Sequence, residues 1–403
     1  MKPLEGVKVL ELARILAGPW AGQTLADLGA EVIKVERPGS GDDTRGWGPP
    51  FVAAADGARG DAAYYHSCNR GKQSVTIDFE KAEGQRLVRA LAANADILIE
   101  NFKAGGLAKY GLDYQRLRSV NPRLIYCSIT GFGQTGPYAK RAGYDFIVQG
   151  MGGIMDLTGD PDGEPQKPGI AYADIIAGLY SVIAIEAALA RRAATGEGAY
   201  IDMALMDAQV AVLANQALNY FVSGRPPRRL GNAHPNLVPY QVFKVADGHI
   251  IIAAGNDRQT RDLCRVLGVE ELADDPRFLS NADRIANRVA FIALLQERTE
   301  WFKAAELLAA LEKAVVPAGP INSVAEVFAD VQVKARAIRV DLPATGAAAG
   351  ALSYVRAPML IDGETMTASR GAPTLGEDSD KVLAGLGLSG GEIAALREKG
   401  IVA

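Results

Sequence analysis

Apolar and polar positions alternate from Val7 to Leu12, the period of a half-buried strand. Ala17-Gly-Pro-Trp20 then reads as a turn, Ala21–Leu28 as a helix ended by Gly29, and Ala30–Glu36 as a second strand. The pattern recurs, with Lys81–Asn94 helical, Asp96–Glu100 a strand, Tyr114–Val120 helical and Leu124–Ile129 a strand. Such alternation predicts a parallel sheet in a doubly wound, Rossmann-like α/β domain. Tyr200–Leu205 reads as a further strand and Met206–Phe221 as a helix. Val222–Asn232 has no apolar period and is rich in Pro, Gly and Arg, which marks a domain boundary.

Beyond that linker, Tyr240–Val245 and His249–Ala254 flank Ala-Asp-Gly and predict a hairpin. Helical patterns follow at Arg258–Leu267, Arg284–Glu297 and Thr299–Ala314, which makes this a small α+β domain. Strand character returns at Ser353, and Leu388–Arg397 reads as a last helix. The expected organisation is a large Rossmann-like domain from 1–224, a small α+β domain from 225–331, and a return to the large domain over 332–403. With 403 residues, the chain is long enough for two cores.

The longest apolar run opens on a carboxylate, Asp174, the only charge between Lys167 and Glu186. Asp is a favoured helix cap, so one reading is purely local. The other is chemical, as a nucleophile or base with no cation near in sequence. Ala177 and Gly178 share its helical face, and their small size predicts room for a ligand above the carboxylate.

Composition narrows the chemistry. A net charge of −4 argues against a general nucleic-acid binder, while local basic clusters remain suited to a phosphorylated small molecule. The cysteines Cys68, Cys127 and Cys264 are scattered, with neither metal nor disulfide spacing. The N-terminus lacks the apolar core of a signal peptide, and the run from Asp174 to Leu189 reads as too short and too broken to cross a membrane. A soluble cytoplasmic protein is expected, with no nucleic-acid or membrane partner.

Several sites are missing. The first turn, Leu16–Gly22, lacks the Gly-x-Gly-x-x-Gly fingerprint of a dinucleotide site. Neither a Walker loop nor a Gly-x-Ser-x-Gly elbow occurs. His66, His234 and His249 stand apart from one another and from the cysteines, so no metal is expected. Asp160–Glu164 lacks calcium-loop spacing and reads as a turn. Arg37–Phe51 is a polar, glycine-rich loop following the second strand, where α/β folds hold their ligands.

Several stretches together resemble the class III CoA-transferases, the formyl-CoA transferase and carnitine CoA-transferase group. They include Pro3–Leu12, Leu16–Pro19, Asp27–Asp42, Glu100–Phe102, Asn121–Tyr126, Gly131–Pro137, Arg141–Asp145 and Pro373–Glu377. Arg14–Pro19, Gly41–Phe51 and Val238–Lys244 look closest to the branch using succinyl-CoA with dicarboxylates such as glutarate. The resemblance implies CoA transfer from an acyl-CoA to a free carboxylic acid, with Asp174 as nucleophile. It implies no permanently bound cofactor, coenzyme A thioester as substrate, and a homodimer of interlocked rings.

Position by position, the resemblance puts CoA contacts at Leu16, Ala17, Arg37, Asn69, Arg70, Lys72, Asn101, Phe102, Lys109 and Arg141. It puts Tyr144 at the site and an oxyanion-binding loop around Gly255 and Asn256. Formyl-CoA transferases carry glutamine where this chain has Leu16, which disfavours formyl or oxalate chemistry. A dicarboxylate needs a cation for its distal carboxylate, and Arg14 and Arg45 are the candidates. Two rival readings are an α-methylacyl-CoA racemase, whose histidine is replaced here by Tyr144, and a non-catalytic CoA-binding regulator.

Overall fold

Six parallel strands form the central sheet: β1 (Lys8–Glu11), β2 (Glu31–Glu36), β3 (Lys72–Thr76), β4 (Ile97–Glu100), β5 (Ile125–Thr130) and β6 (Ala199–Ala204), in the order 3-2-1-4-5-6. The computed structural model describes residues 1–54 and 57–403. This is the strand order of dinucleotide-binding folds, with the direction of winding reversing between β1 and β4. Alternate residues feed two cores, so the strands are apolar on both faces. Val9, Val32, Ile97, Ile99 and Cys127 pack beneath α1 (Ala17–Asp27) and the long helix α5 (Tyr172–Thr195). Leu10, Val35, Val75, Leu98 and Tyr126 pack beneath α2 (Ala82–Ala93), α3 (Tyr114–Val120) and the C-terminal helices.

The chain divides into two compact units. One contains Met1–Ile154, Lys167–Val222 and Gln332–Ala403, and the other contains Met155–Gln166 and Ser223–Val331. The C-terminal segment is tied to the first unit along β3. Ser74 N–H donates to Asp378 at 3.0 Å, and Ala403 N–H donates to Thr76 at 2.8 Å. The second unit has its own core around Phe243, Ile250, Leu263 and Phe291. Its sheet contains the hairpin β7 (Tyr240–Val245) and β8 (Gly248–Ala253), with a third strand, β9 (Ala318–Pro320), that the pattern did not reveal.

Four local expectations need correction. Ala17–Trp20 is the first turn of α1 rather than a preceding turn, and Pro19 fits there because first-turn N–H groups have no helical partner. The Lys72–Thr76 strand was missed because its Lys-Gln-Ser start is polar, and that polarity serves a buried ion network. The helix expected over Met206–Phe221 is two helices, Leu205–Ala211 and Ala214–Ser223, broken where Ala214 takes φ 46°. The apolar run is not short. α5 extends for 24 residues and by length and composition could cross a membrane. Its inner face lies in the core, with Ala177, Ser181 and Ile185 fully buried.

Candidate active site

The strand ends at the reversal point open onto a cavity of about 580 Å³. Its walls come from the segments after β1, β2, β4 and β5, the crevice where doubly wound sheets bind ligands. Asp174 lies on this wall, at the third residue of α5. It does not cap its helix. Ala171 is the cap residue and supplies no side-chain bond. The cap comes instead from Asp145, at the start of α4 (Asp145–Met151). Its Oδ1 accepts the N–H groups of Ala173 at 2.8 Å and Asp174 at 3.4 Å, and its Oδ2 accepts Gln149 Nε2–H at 2.7 Å.

Asp174 is thereby left free for chemistry. Burial pushes its carboxyl up to about 7, and the Asp145 charge pushes in the same direction. Among the described residues, no cation forms an ion pair with it. Tyr64 senses it as well, since burial first and then the Asp174 charge raise that phenol to about 12. Trp47, on the cavity wall, packs edge-on against Tyr64 with ring centroids 5.3 Å apart.

The small residues beyond Asp174 serve packing rather than a ligand. Ala177 is fully buried. A Cβ on Gly178 would stand 2.7 Å from the Ala17 carbonyl oxygen and 3.2 Å from Trp20 Cβ. The glycine lets α5 approach α1 closely, which brings Asp174 beside the opening turn of α1. A second close approach is backbone on backbone, with an added Cβ on Gly131 lying 2.5 Å from Gly143 Cα. That contact fixes the segment leading into Tyr144 and Asp145.

Arg14, Leu16, Ala17, Arg37, Asn101, Phe102, Lys109, Arg141 and Tyr144 all line the same cavity as Asp174. The Asn101 side chain clasps the Arg14 backbone. Its Oδ1 accepts the Arg14 N–H at 2.9 Å, and its Nδ2 donates to the Arg14 carbonyl at 2.6 Å. Ile15 then takes φ 71°, a strained value for a β-branched residue, and its N–H donates to Asp42 Oδ1 at 3.2 Å. Leu16 and Ala17 follow at the uncapped start of α1. Phe102, Phe79 and Tyr110 form an edge-to-face aromatic cluster on the wall. The Phe102 N–H donates to Glu100 at 2.7 Å, and burial raises that carboxyl to about 7 despite this bond and one from Ser128. Arg141 stacks on Tyr138 and Lys109 on Tyr110. Arg37 is largely exposed, 3.5 Å from Glu80.

Four expected ligand contacts are buried in the scaffold instead. Arg45 donates to Glu36 at 2.6 Å, to Asp61 at 2.6 Å, to Tyr65 at 2.6 Å and to the Pro373 carbonyl. Its guanidinium has no donor left for a substrate carboxylate and does not border the cavity. Lys72 is buried against Glu11 at 2.8 Å, the Pro19 carbonyl at 2.9 Å and Asn69 at 2.8 Å. Asn69 bonds Lys72 and the Tyr65 carbonyl, and Arg70 pairs with buried Asp27. Polar residues around a glycine look like a binding loop in sequence, but the fold directs them inward. The same network includes Lys34, 3.0 Å from Glu11 and 2.9 Å from Asp42. Burial alone would raise the Asp42 carboxyl, but the Lys34 ammonium outweighs it and lowers the group to about 2. Asp42 in turn holds the Ile15 turn at the cavity wall.

Gly255 and Asn256 belong to the second unit. There Asn256 caps the helix Asp257–Leu267 by accepting the Gln259 N–H at 2.9 Å. The Gly255 N–H, an expected oxyanion donor, is bonded to Gln259 Oε1 at 2.9 Å. Sequence reading also passed over Asp145, Tyr64 and Asp43. Asp145 had a signal, because a carboxylate follows the site tyrosine directly. Asp43 lies in the Arg37–Phe51 loop that the sequence marked as a ligand loop, while Tyr64 lies far from Asp174 along the chain and carried none.

Comparison with known proteins identifies the family. The chain is 57% identical over 384 residues to a succinate–glutarate CoA-transferase of Agrobacterium fabrum, covering 95% of this chain and 96% of that one. It is 42% identical over 383 residues to the human succinyl-CoA:glutarate CoA-transferase, covering 95% of this chain and 86% of that one. A crystal structure of a CaiB/BaiF family protein from Brucella suis superposes with a TM-score of 0.84 at 59% identity, covering 96% of this chain and 99% of that one. The pattern of CoA-transferase family III matches residues 4–379, and the chain belongs to that family of enzymes.

Proposed function

We propose that this enzyme transfers CoA from succinyl-CoA to a short dicarboxylic acid of the glutarate type, through covalent intermediates on Asp174. The observation that carries the reading is Asp174 itself: a half-buried carboxylate, without an ion-pair partner among the described residues, on the wall of the strand-end cavity. The names of the Agrobacterium and human relatives support the choice of acids.

In this mechanism the Asp174 carboxylate attacks the thioester carbonyl, and the CoA thiolate leaves to give an aspartyl–acyl anhydride. The thiolate then attacks the aspartyl carbonyl, which releases the donor acid and leaves CoA joined to Asp174 as a thioester. The acceptor carboxylate attacks that thioester and expels CoA thiolate, forming a second anhydride. The thiolate attacks the acceptor acyl carbon, giving the new CoA thioester and restoring Asp174. One thioester is exchanged for another, so no further energy source is consumed. The raised basicity of Asp174 strengthens it as a nucleophile, and near neutral pH much of it remains ionised.

Negative charge on the tetrahedral centres needs donors. The uncapped first turn of α1, opening at Ala17 on the cavity wall, offers backbone N–H groups and the positive helix end. Arg37, Lys109 and Arg141 supply charge for the CoA phosphates, and Phe102 with its aromatic neighbours supplies a face for the adenine. Arg14 is the cation for the distal carboxylate of the acid. No histidine lines the cavity among the described residues, which weighs against proton shuttling of the racemase kind.

We also read the enzyme as a cytoplasmic homodimer. Three buried free cysteines suit a reducing compartment. Ile183 on α5, with Phe221 and Val222, leaves apolar area open that a second copy would cover. Light scattering of the purified protein tests the dimer. For the chemistry, the protein is incubated with succinyl-CoA, quenched with hydroxylamine and weighed intact beside Asp174→Ala. An adduct mapping to Asp174 is the expected result. An unmodified Asp174 across a panel of acyl-CoAs would sink the covalent mechanism.

A further inference from the structure

Arg14 and Asp43 form an ion pair of 2.8 Å inside the cavity that contains Asp174. The pair differs from its surroundings. Asp42, one residue earlier, is buried against Lys34, and Glu36 is buried against Arg45. The Arg14 and Asp43 side chains are instead 51% and 46% exposed. Their contact is a single bond from Nη1 to Oδ2, not the two-bond fork by which a guanidinium grips a carboxylate best.

The two partners are unequally fixed. Arg14 is anchored through its backbone by both ends of the Asn101 amide, and the strained Ile15 turn that follows is held by Asp42. Backbone strain persists where the surroundings over-determine it, and here it sets the base from which the Arg14 side chain reaches the cavity. Asp43 opens a four-residue 3₁₀ turn, and its carboxylate is attached to the wall by the Arg14 bond. Arg14 is therefore the fixed half of the pair and Asp43 the replaceable half.

From this we infer that Asp43 is a resident competitor of the acid substrate: its carboxylate occupies Arg14 in the empty enzyme and yields the guanidinium to the second carboxylate of a bound dicarboxylic acid. The inference rests on the assignment of Arg14 as the dicarboxylate cation. A dicarboxylic acid gains the full fork and displaces only an exposed, single-bonded partner. An acid with one carboxylate uses that group at Asp174 and leaves Asp43 in place. The ion pair thus keeps a cation from standing unpaired in the cavity, and it weakens dicarboxylate binding by a modest factor. Exposed pairs are weak, which limits that factor to about fivefold.

The test compares glutarate with pentanoate, the diacid and monoacid of equal chain length, in wild type, Asp43→Asn and Arg14→Ala. The readout is the apparent KM, or the inhibition constant for an acid that is not turned over. Asp43→Asn is expected to lower the glutarate constant by about two- to fivefold while leaving the pentanoate constant unchanged. A raised glutarate constant would mean that Asp43 orients Arg14 for substrate, and equal shifts for both acids would mean a general electrostatic effect. Either result overturns the inference. Arg14→Ala separates the two levels. If it leaves the glutarate-to-pentanoate ratio unchanged, the Arg14 assignment falls and the competitor role with it. If it abolishes the preference while Asp43→Asn does nothing, only the competitor role falls.

Discussion

Asp145 caps the helix that carries Asp174, with Oδ1 2.8 Å from the Ala173 nitrogen. One carboxylate thus does two things to another. It fixes the helix end from which Asp174 projects, and its charge adds to the larger effect of burial in raising the Asp174 carboxyl.

These effects separate by substitution. Asp145→Asn keeps an oxygen for the Ala173 N–H and removes the charge. Gln149 Oε1 is buried without a hydrogen-bond partner, so a flip of that amide offers an acceptor to the N–H₂ group that the substitution introduces. The Asp174 carboxyl should then titrate lower, and the acid limb of kcat/KM should move to lower pH. Asp145→Ala loses the cap too and should destabilise the fold by about 1 kcal/mol. An acid limb that stays in place in Asp145→Asn would remove Asp145 from control of the nucleophile.

The pH dependence of the wild type has a definite sign. Asp174 attacks as the carboxylate, so kcat/KM should rise as pH passes through about 7. Stability should change in the opposite direction. The folded carboxyl titrates near 7 and the unfolded one near 3.8, so between these values the folded state binds more protons. Its contribution is present below the unfolded value and is lost as pH rises towards 7. Asp174→Asn should therefore raise Tm at pH 8, by up to about 4 kcal/mol in stability, with the difference fading towards pH 4. A Tm difference independent of pH would contradict this.

Arg45 makes the opposite prediction from that expected of a substrate ligand. Removing one partner from a buried pair leaves the others uncompensated, so Arg45→Ala should destabilise the protein by about 3–5 kcal/mol. Any enzyme that folds should keep its preference for dicarboxylates over monocarboxylates. Denaturant unfolding and the ratio of KM values measure the two effects. Loss of preference without loss of stability would return Arg45 to the site.

Gly178→Ala inserts a methyl group 2.7 Å from the Ala17 carbonyl oxygen. Neither helix can yield without moving Asp174 relative to the α1 terminus. A loss of about 1–3 kcal/mol is expected, together with a fall in kcat that exceeds any change in KM for the acyl-CoA. Unchanged kcat would show that the spacing of α1 and α5 is immaterial to the chemistry.

The central fold was legible because its signals are local and periodic. Tyr114–Val120 is helical over the residues its pattern predicts, and the strands at β1, β2, β4, β5 and β6 fall within a residue or two of their apolar runs. β3 was illegible because Lys72 and Ser74 are polar, and only the distant partners Glu11 and Glu36 make them interior residues. The motif around Asp174 likewise drew attention to the site, but a carboxylate near a helix start has the same local signature whether it caps or reacts.

Sequence by itself determined the α/β alternation and the family resemblance that singled out Asp174, while the inclusion of Met155–Gln166 in the second unit was not legible in it. The two legible features depend on neighbours a few residues apart, whose spacing is fixed by helix and strand geometry. Tertiary structure alone decided which charges face the cavity. It turned Arg45, Arg70 and Lys72 inward, left Arg14 exposed beside Asp43, and gave the capping of α5 to Asp145. The physical reason is that a charge is buried only where partners from elsewhere in the chain satisfy it, and those partners meet only when the strands and helices have packed together.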